Sequence, residues 1–186
     1  VRERVGDLEF EFVAGEFFQN NPFILPEFVA YGVSEAKGPR FLVDAYCGVG
    51  MFALSAAKEF ERVAGIEVSA NAVECARKNA GINNIANCSF FAGKAENIFE
   101  SVSSDYPGAE TSVIIDPPRS GCDMSFIGQL ARFAPAKIVY VSCGPDTQAR
   151  DAAELQKLGY RLEKLQPFDL FPQTRHIESV ATFLRQ

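Results

Sequence analysis

The stretch RFLVDAYCGVGMFALSAAKEFERVAGIEVSANAVECARKNA, residues 40–80, decides the fold. Its apolar run at 40–46 predicts a buried strand, which a glycine turn connects to a helix at 51–60. A second strand follows at 62–68 and a second helix at 69–80. Strands that alternate with helices in this way are typical of a parallel sheet covered by helices on both faces.

The rest of the chain continues this alternation. Further strands are predicted at 88–93, 112–118 and 137–143, and further helices at 94–103, 123–133 and 146–158. Two segments at the C-terminal end, 160–171 and 177–185, read as strands with no helix between them, which predicts an antiparallel hairpin. The first forty residues differ, because a strand at 7–12 precedes a helix at 22–34 that we expect to lie against the sheet edge.

Composition places the chain among ordinary globular proteins. Its 186 residues suffice for one domain, and no apolar run is long enough to span a membrane. Five cysteines without a C-x-x-C pair, together with one histidine, argue against a disulfide framework and a metal site. We therefore expect a reducing, intracellular compartment: the cytoplasm, the nucleus or a mitochondrion. The net charge of −6 lacks the basic excess of a nucleic-acid binder.

The glycine turn is a candidate nucleotide site. Gly48, Gly50 and Ala53 match the pattern G-x-G-x-x-G/A, and Glu67 follows Gly50 by seventeen residues, at the end of the second strand. Small residues at these positions are equally compatible with a plain strand-to-helix turn. Glu67 favours a ligand, because a carboxylate there can accept hydrogen bonds from a ribose diol.

Three carboxylates at strand ends indicate which nucleotide-containing ligand this site would bind. Asp44 and Asp116 join Glu67 at one edge of the sheet, and the glycine turn contains no lysine or arginine. A pyrophosphate would be repelled there, whereas a positively charged nucleoside would be attracted. S-adenosylmethionine has a ribose, a sulfonium and an ammonium group, so these charges favour it over NAD.

Two further residues are candidates for covalent and proton-transfer chemistry. Cys143 ends a strand and precedes Pro145, which is suited to a first helical turn. A thiol can be a small apolar filler, but the N-terminus of a helix favours its thiolate, so Cys143 is a candidate nucleophile. Glu178 alternates with His176 ahead of an apolar run. These two residues are compatible with an exposed strand start, or with a general base, Glu178, positioned by the only histidine.

Seven segments together resemble one family of enzymes. They occur in family order over nearly the whole chain: FFQNN (17–21), DAYCGVGMF (44–52), GIEVSA (65–70), GKAE (93–96), DPPRSGCD (116–123), VSCGPDTQARD (141–151) and FPQTRHIESV (171–180). The chain resembles the RNA pyrimidine-C5 methyltransferases, and in particular the fungal tRNA (uracil-5-)-methyltransferases. The resemblance implies a Rossmann-like class I S-adenosylmethionine-dependent methyltransferase fold with a mostly parallel seven-stranded sheet.

The resemblance also implies roles for individual residues. Cys143 would be the nucleophile that adds to C6 of uridine in tRNA, and Glu178 the proton acceptor. The positions implied to contact S-adenosylmethionine are Gln19, Tyr46, Glu67 and Asp116, to which we add Gly48 of the glycine turn. The chain departs from the family pattern at Met51, where relatives often have asparagine, and at Gly144, where the family has asparagine.

Relatives carry additional N-terminal domains that hold RNA. We therefore interpret residues 1–186 as the catalytic domain, with 1–40 as its N-terminal extension of strand and helix. Because the chain starts at Val1 without a methionine, we expect the N-terminal RNA-binding part of the full protein to be absent. The expected partner is tRNA, bound mostly through that part, and we expect a monomer with no membrane association.

Three other functions are compatible with parts of the sequence. A dehydrogenase could use the glycine turn, but would leave Cys143, Asp116 and Glu178 unexplained. An amino-group methyltransferase could use the DPPR segment at 116–119 to orient a base amine, and needs no cysteine. A truncated fragment could bind the cofactor without turnover.

Overall fold

The computed structural model describes residues 1–13, 21–93, 98–99 and 102–186. Two short N-terminal strands, β1 (Arg2–Val5) and β2 (Leu8–Glu11), pair antiparallel as a separate hairpin. The remaining elements are α1 (Leu25–Ala36), β3 (Phe41–Ala45), α2 (Met51–Ala56), β4 (Arg62–Glu67), α3 (Ala70–Ile82), β5 (Cys88–Ala92), a 3-10 turn (Gly108–Glu110), β6 (Thr111–Ile115), α4 (Met124–Phe133), β7 (Lys137–Ser142), α5 (Pro145–Lys157), β8 (Tyr160–Phe168) and β9 (Glu178–Arg185).

Strands β3 to β9 form one seven-stranded sheet with the order β5-β4-β3-β6-β7-β9-β8. The pairs among β3, β4, β5, β6 and β7 are parallel, and β9 pairs antiparallel with both β7 and β8. The predicted α/β fold, with its mostly parallel sheet and antiparallel C-terminal hairpin, is confirmed. The strand order reverses beside β3, where an open sheet of this kind forms a crevice at the carboxyl ends of its strands.

Each face of the sheet carries its own hydrophobic core. Helices α1, α2 and α3 cover one face, where Phe28 of α1 packs edge-on against Phe52 of α2 with ring centroids 6.1 Å apart. Helices α4 and α5 cover the other face, where Phe126 and Leu155 are buried. Alternate residues of the central strands point into the two cores, which is why strands such as β3 and β6 are buried along their full length.

Several sequence expectations need correction. Helix α1 lies across the face of the sheet against β6, β7 and β9 rather than at its edge, because its apolar residues enter the core shared with these strands. The strand predicted at 112–118 ends at Ile115. Prolines 117 and 118 cannot extend it, because proline has no backbone N–H to donate to a neighbouring strand. The first forty residues hold a two-stranded hairpin instead of one strand. Most of the helix predicted at 94–103 lies outside the described residues.

Within the described part of the chain, no helix combines the length and the apolar character needed to cross a membrane. The same residues contain no group of three or more histidine, cysteine or acidic side chains arranged to hold a metal ion.

Candidate active site

The glycine turn after β3 has a backbone that few residue types adopt. Tyr46, Gly48 and Gly50 have φ angles of 66°, 52° and 88°, all in the left-handed region. The N–H of Gly50 donates to the carbonyl of Cys47 (2.8 Å), and Gly50 then caps α2. A Cβ at Gly50 would lie 3.1 Å from the ring of Phe90. Glycine is therefore required at this position both by conformation and by space.

The carboxylate of Glu67 is fixed beside this turn. One oxygen accepts the N–H of Gly48 (3.2 Å), and the other accepts the N–H of Ser69 (2.9 Å). The Ser69 hydroxyl in turn accepts the N–H of Ala72 (3.3 Å) and caps α3, as a serine at that position predicts. These contacts join the ends of β3 and β4 at the edge of the sheet and hold Glu67 where a ligand of the turn would meet it.

Asp44 is a buried carboxyl group that the sequence places with Glu67 and Asp116 at this edge, without a contact of its own to the cofactor. Its Oδ2 atom accepts the N–H of Ala53 (2.9 Å), while its buried Oδ1 atom has no hydrogen-bond partner among the described residues. Burial raises its pKa well above the usual range, and nearby Asp116 and Glu67 add to the rise. A buried carboxyl oxygen with no partner among these residues, beside two further carboxylates, fits a ligand that carries positive charge.

Asp116 and Glu178 form the second part of the site. Asp116 follows β6 directly, and Glu178 is the first residue of β9 and only 2% exposed. Burial raises the pKa of each carboxyl group to about 7, and the charge of Glu178 contributes to the rise at Asp116. At neutral pH both groups can therefore hold or accept a proton.

The pairing of β7 with β9 brings Cys143 next to Glu178. The last β7–β9 pair is Ser142 with Ser179, and Cys143 and Glu178 are the residues immediately beyond it. Burial raises the pKa of the half-buried Cys143 thiol, and Glu178 and Asp116 raise it further. In the chain without ligands, burial and the two carboxylates thus disfavour the thiolate, whereas a backbone hydrogen bond at Cys143 and the charge of Arg119 lower the pKa.

His176 does not position Glu178. The His176 ring is half-buried and packs edge-on against Phe171 with centroids 6.3 Å apart. In the described part of the chain, no hydrogen bond or ion pair joins His176 to Glu178. His176 precedes β9, which begins at Glu178, so the strand alternation that would put both side chains on one face does not extend to His176.

Sequence reasoning also missed a cluster that fastens the loop after Asp116 to helix α5. The fully buried Asp151 accepts hydrogen bonds from the backbone N–H of Cys122 (2.8 Å) and the hydroxyl of Tyr140 (2.7 Å). Arg150 donates to Asp151 (2.8 Å) and to the carbonyl of Cys122 (3.0 Å). The only sequence signal for this cluster is the acidic residue on the inward face of α5.

Gly144, next to the candidate nucleophile, lies against the same loop. The Thr147 hydroxyl donates to the carbonyls of Arg119 (3.1 Å) and Gly144 (2.9 Å). A Cβ at Gly144 would lie 3.0 Å from the carbonyl oxygen of Arg119 and 2.7 Å from the Thr147 hydroxyl. The glycine thus permits a close approach between the turn that carries Cys143 and the loop that follows Asp116.

The structure brings six predicted or newly recognised residues to one edge of the sheet: Asp44, Gly48, Glu67, Asp116, Cys143 and Glu178. Tyr46 lies at the same edge, with its ring packed against Phe126 at 5.1 Å between centroids. Gln19 lies outside the described residues. Met51 is buried in the core covered by α1, α2 and α3, so its side chain packs rather than facing the crevice.

Comparison with known proteins identifies relatives over the whole chain. The family described as tRNA (Uracil-5-)-methyltransferase matches residues 2–186. Proteins named tRNA (uracil(54)-C(5))-methyltransferase from Schizosaccharomyces pombe and Saccharomyces cerevisiae are both 46% identical over 198 residues, which cover 100% of this chain. The chain spans 37% and 31% of the lengths of these relatives.

Solved structures agree with this assignment. The Pyrococcus abyssi tRNA (uracil-54, C5)-methyltransferase in complex with S-adenosyl-L-homocysteine is 33% identical with a TM-score of 0.85, covering 99% of this chain and 44% of that one. A precorrin-6y C5,15-methyltransferase from Geobacter metallireducens shares the fold at 14% identity and a TM-score of 0.72. The match covers 95% of this chain and 94% of that protein's chain. The Rossmann-like methyltransferase fold is thereby confirmed, and the chain belongs to the tRNA (uracil-5-)-methyltransferase family.

Proposed function

We propose that this chain is the catalytic domain of a methyltransferase that transfers a methyl group from S-adenosylmethionine to C5 of uridine in tRNA. The observation that carries the proposal is the placement of Cys143, the residue after β7, next to Glu178, the first residue of β9, beside Asp116 and the glycine turn. A thiol and a carboxyl group of pKa about 7 at one sheet edge can supply the nucleophile and the base of one reaction.

The residues around the glycine turn fit S-adenosylmethionine. The Oδ1 atom of Asp44, which has no hydrogen-bond partner in the described part of the chain, and the carboxylates of Glu67 and Asp116 suit its positive charges. Glu67, held by the N–H groups of Gly48 and Ser69, is placed to accept hydrogen bonds from a ribose. Tyr46 offers an aromatic surface at the same edge. When bound, S-adenosylmethionine supplies the methyl group and leaves as S-adenosylhomocysteine.

The chemistry on the uracil ring depends on Cys143. Uracil C5 is a weak nucleophile, so covalent help is needed. The Cys143 thiolate adds to C6, which makes C5 enolate-like and able to take the methyl group. The charge of Arg119 lowers the pKa of Cys143 and so opposes, in part, the burial and the carboxylates that disfavour the thiolate.

Glu178 completes the reaction. Its carboxylate accepts the proton from C5, the electrons of the C5–H bond re-form the C5=C6 double bond, and the bond from C6 to the Cys143 sulfur breaks. A pKa of about 7 suits a group that must be ionised before the reaction and protonated after it.

The proposed target is the tRNA T-loop uridine, since two relatives are named for uracil 54 of tRNA. To reach Cys143, the base has to leave its stack. The net charge of −6 supports the further proposal that these 186 residues alone bind tRNA weakly, with other parts of the full protein holding the RNA. We also propose that the chain acts as a monomer.

Covalent trapping tests the proposal. The chain is incubated with S-adenosylmethionine and a T-arm RNA whose target is 5-fluorouridine, which has no C5 proton to remove, and the intact mass is recorded. We expect an adduct of protein, RNA and one methyl group. Cys143→Ala should abolish it, and Cys75→Ala, a change of a half-buried thiol on α3, should not.

Two results would contradict the proposal. Methylation of ordinary RNA by Cys143→Ala would favour an amino-group methyltransferase, which needs no thiol. An absent adduct, with S-adenosylhomocysteine binding verified by calorimetry, would favour a fragment that binds the cofactor without turnover.

A further inference from the structure

Asn79 of helix α3 connects two segments that are distant in sequence. It is fully buried, and its side-chain oxygen accepts the backbone N–H of Glu11 (2.7 Å). Its NH₂ group donates to the carbonyl of Glu11 (3.1 Å) and to the carbonyl of Val49 (3.1 Å). Glu11 ends strand β2 of the N-terminal hairpin, whereas Val49 lies in the glycine turn between Gly48 and Gly50.

Asn83, one helical turn later, pairs with β2 in the same way but does not reach the glycine turn; its NH₂ group also donates to the carbonyl of Asn79 (2.8 Å). Its oxygen accepts the N–H of Glu9 (2.9 Å), and its NH₂ group donates to the carbonyl of Glu9 (2.7 Å). The distance from Asn79 to Asn83 along α3 matches the distance from Glu9 to Glu11 along β2, because four residues of helix advance about 6 Å and two residues of strand about 6.6 Å. Two side-chain amides thus pair with the edge of β2 as a neighbouring strand would.

The contact to Val49 differs in kind, because it reaches the backbone of the glycine turn. The N–H of Ala53, four residues after Val49, is directed to the Asp44 carboxylate (2.9 Å) and not to the Val49 carbonyl. Asn79 provides a donor for that buried carbonyl, which would be costly to leave unpaired. The position of the turn is therefore tied to Asn79 and, through it, to the docked hairpin.

We propose that Asn79 is a positioning residue for cofactor binding, which couples the docking of the hairpin formed by β1 and β2 to the geometry of the glycine turn. The inference rests on the proposed function in that it takes S-adenosylmethionine as the ligand of this turn. Because coupling between two sites is reciprocal, hairpin docking strengthens cofactor binding and the cofactor strengthens hairpin docking by the same factor.

Asparagine suits this role because the site needs one acceptor and two donors. An aspartate at position 79 keeps the acceptor for Glu11 but loses both donors, and it brings a charge close to two carbonyl oxygens. An alanine loses all three hydrogen bonds and leaves a space. Asn83→Ala is the matched control, since it removes the corresponding pairing with Glu9, together with a bond to the Asn79 carbonyl, and leaves the contact with Val49 in place.

The test measures two quantities for each variant: the dissociation constant of S-adenosylhomocysteine by calorimetry, and the thermal unfolding midpoint. Asn79→Ala and Asn83→Ala should both lower the midpoint. Asn79→Ala and Asn79→Asp should weaken S-adenosylhomocysteine binding about tenfold, as expected for one lost hydrogen bond, whereas Asn83→Ala should change it less than about twofold. Equal effects of the two alanine variants on affinity, or no effect of either, would overturn the proposal.

A measurement on the unaltered chain covers the case in which Asn79 variants do not fold. Hydrogen exchange at the amides of Glu9 and Glu11 should slow when S-adenosylhomocysteine is added, and unchanged exchange would overturn the coupling. Failure of the unaltered chain to bind S-adenosylhomocysteine would overturn the proposed function together with this inference. Unimpaired affinity in Asn79 variants would overturn this inference alone.

Discussion

Asp151 accepts a hydrogen bond from the backbone N–H of Cys122, at 2.8 Å, across the interface between helix α5 and the loop that follows Asp116. Helix α5 begins two residues after Cys143, so this contact links the candidate nucleophile to the loop after a predicted cofactor residue. Because the partner is a backbone group, the contact fixes the path of the loop whatever its side chains are. The contact therefore ties the loop after Asp116 to the helix that follows Cys143.

Replacement of Asp151 should therefore reduce both stability and activity. Asp151→Ala leaves the Cys122 N–H and the Tyr140 hydroxyl unpaired, and should lower the free energy of unfolding by about 3 kcal/mol, measured by urea denaturation. Tyr140→Phe is the control, because it removes one contact and leaves the loop attached, so methylation should persist. An Asp151→Ala chain as stable as the original would contradict this account.

Glu178→Gln should separate adduct formation from release. The amide cannot accept the C5 proton, so an ordinary uridine RNA should remain attached to Cys143 after methyl transfer, and turnover should fall at least about a hundredfold. Intact mass spectrometry of the variant incubated with S-adenosylmethionine and this RNA detects the retained RNA. Glu154→Gln, a change on α5 outside the crevice, serves as the control. Release of RNA by Glu178→Gln at the normal rate would show that another group takes the proton.

Stability should decline as pH rises from about 5 to about 7. The pKa values of Asp116 and Glu178 are raised to about 7 in the folded chain, and carboxyl groups in an unfolded chain titrate near 4. Between these values the folded chain binds more protons, so folding is favoured at the lower pH and the advantage is lost as pH passes through 7.

Thermal unfolding midpoints across this pH range measure the effect. Glu178→Gln should flatten the decline, whereas Glu74→Gln, which alters an exposed carboxylate paired with Lys78, should leave it unchanged. A midpoint that increases steadily from pH 5 to pH 7 would be incompatible with the raised pKa values.

Gly144→Ala should destabilise the chain through crowding alone. The φ angle of −127° at Gly144 suits any residue, but the new Cβ would approach the Arg119 carbonyl to 3.0 Å. We expect a loss of about 1–2 kcal/mol in the free energy of unfolding. Gly128→Ala in α4 is the matched control, since its Cβ would have only a side-chain atom of Arg132 at 3.6 Å, and alanine favours a helix. Equal effects of the two substitutions would exclude crowding at position 144.

The sequence by itself determined the architecture and much of the candidate site. Apolar runs of strand length, separated by helical periodicity, predict a parallel sheet, and residues just past strand ends must meet at one edge. Glu67, Asp116 and Cys143 could be located on that basis, and the resemblance added the pairing of Cys143 with Glu178. These predictions of position agree with the structure because they depend on local patterns and on chain order.

The tertiary structure alone decided which polar groups are buried and what they touch. Asn79 and Glu11 are 68 residues apart, and Asp151 and Cys122 are 29 apart, so no local pattern reveals either contact. The raised pKa of Cys143 likewise comes from burial and from carboxylates on β9 and beyond β6. Burial and charge proximity are properties of the assembled fold, because they depend on which distant segments pack together, and sequence spacing does not contain that information.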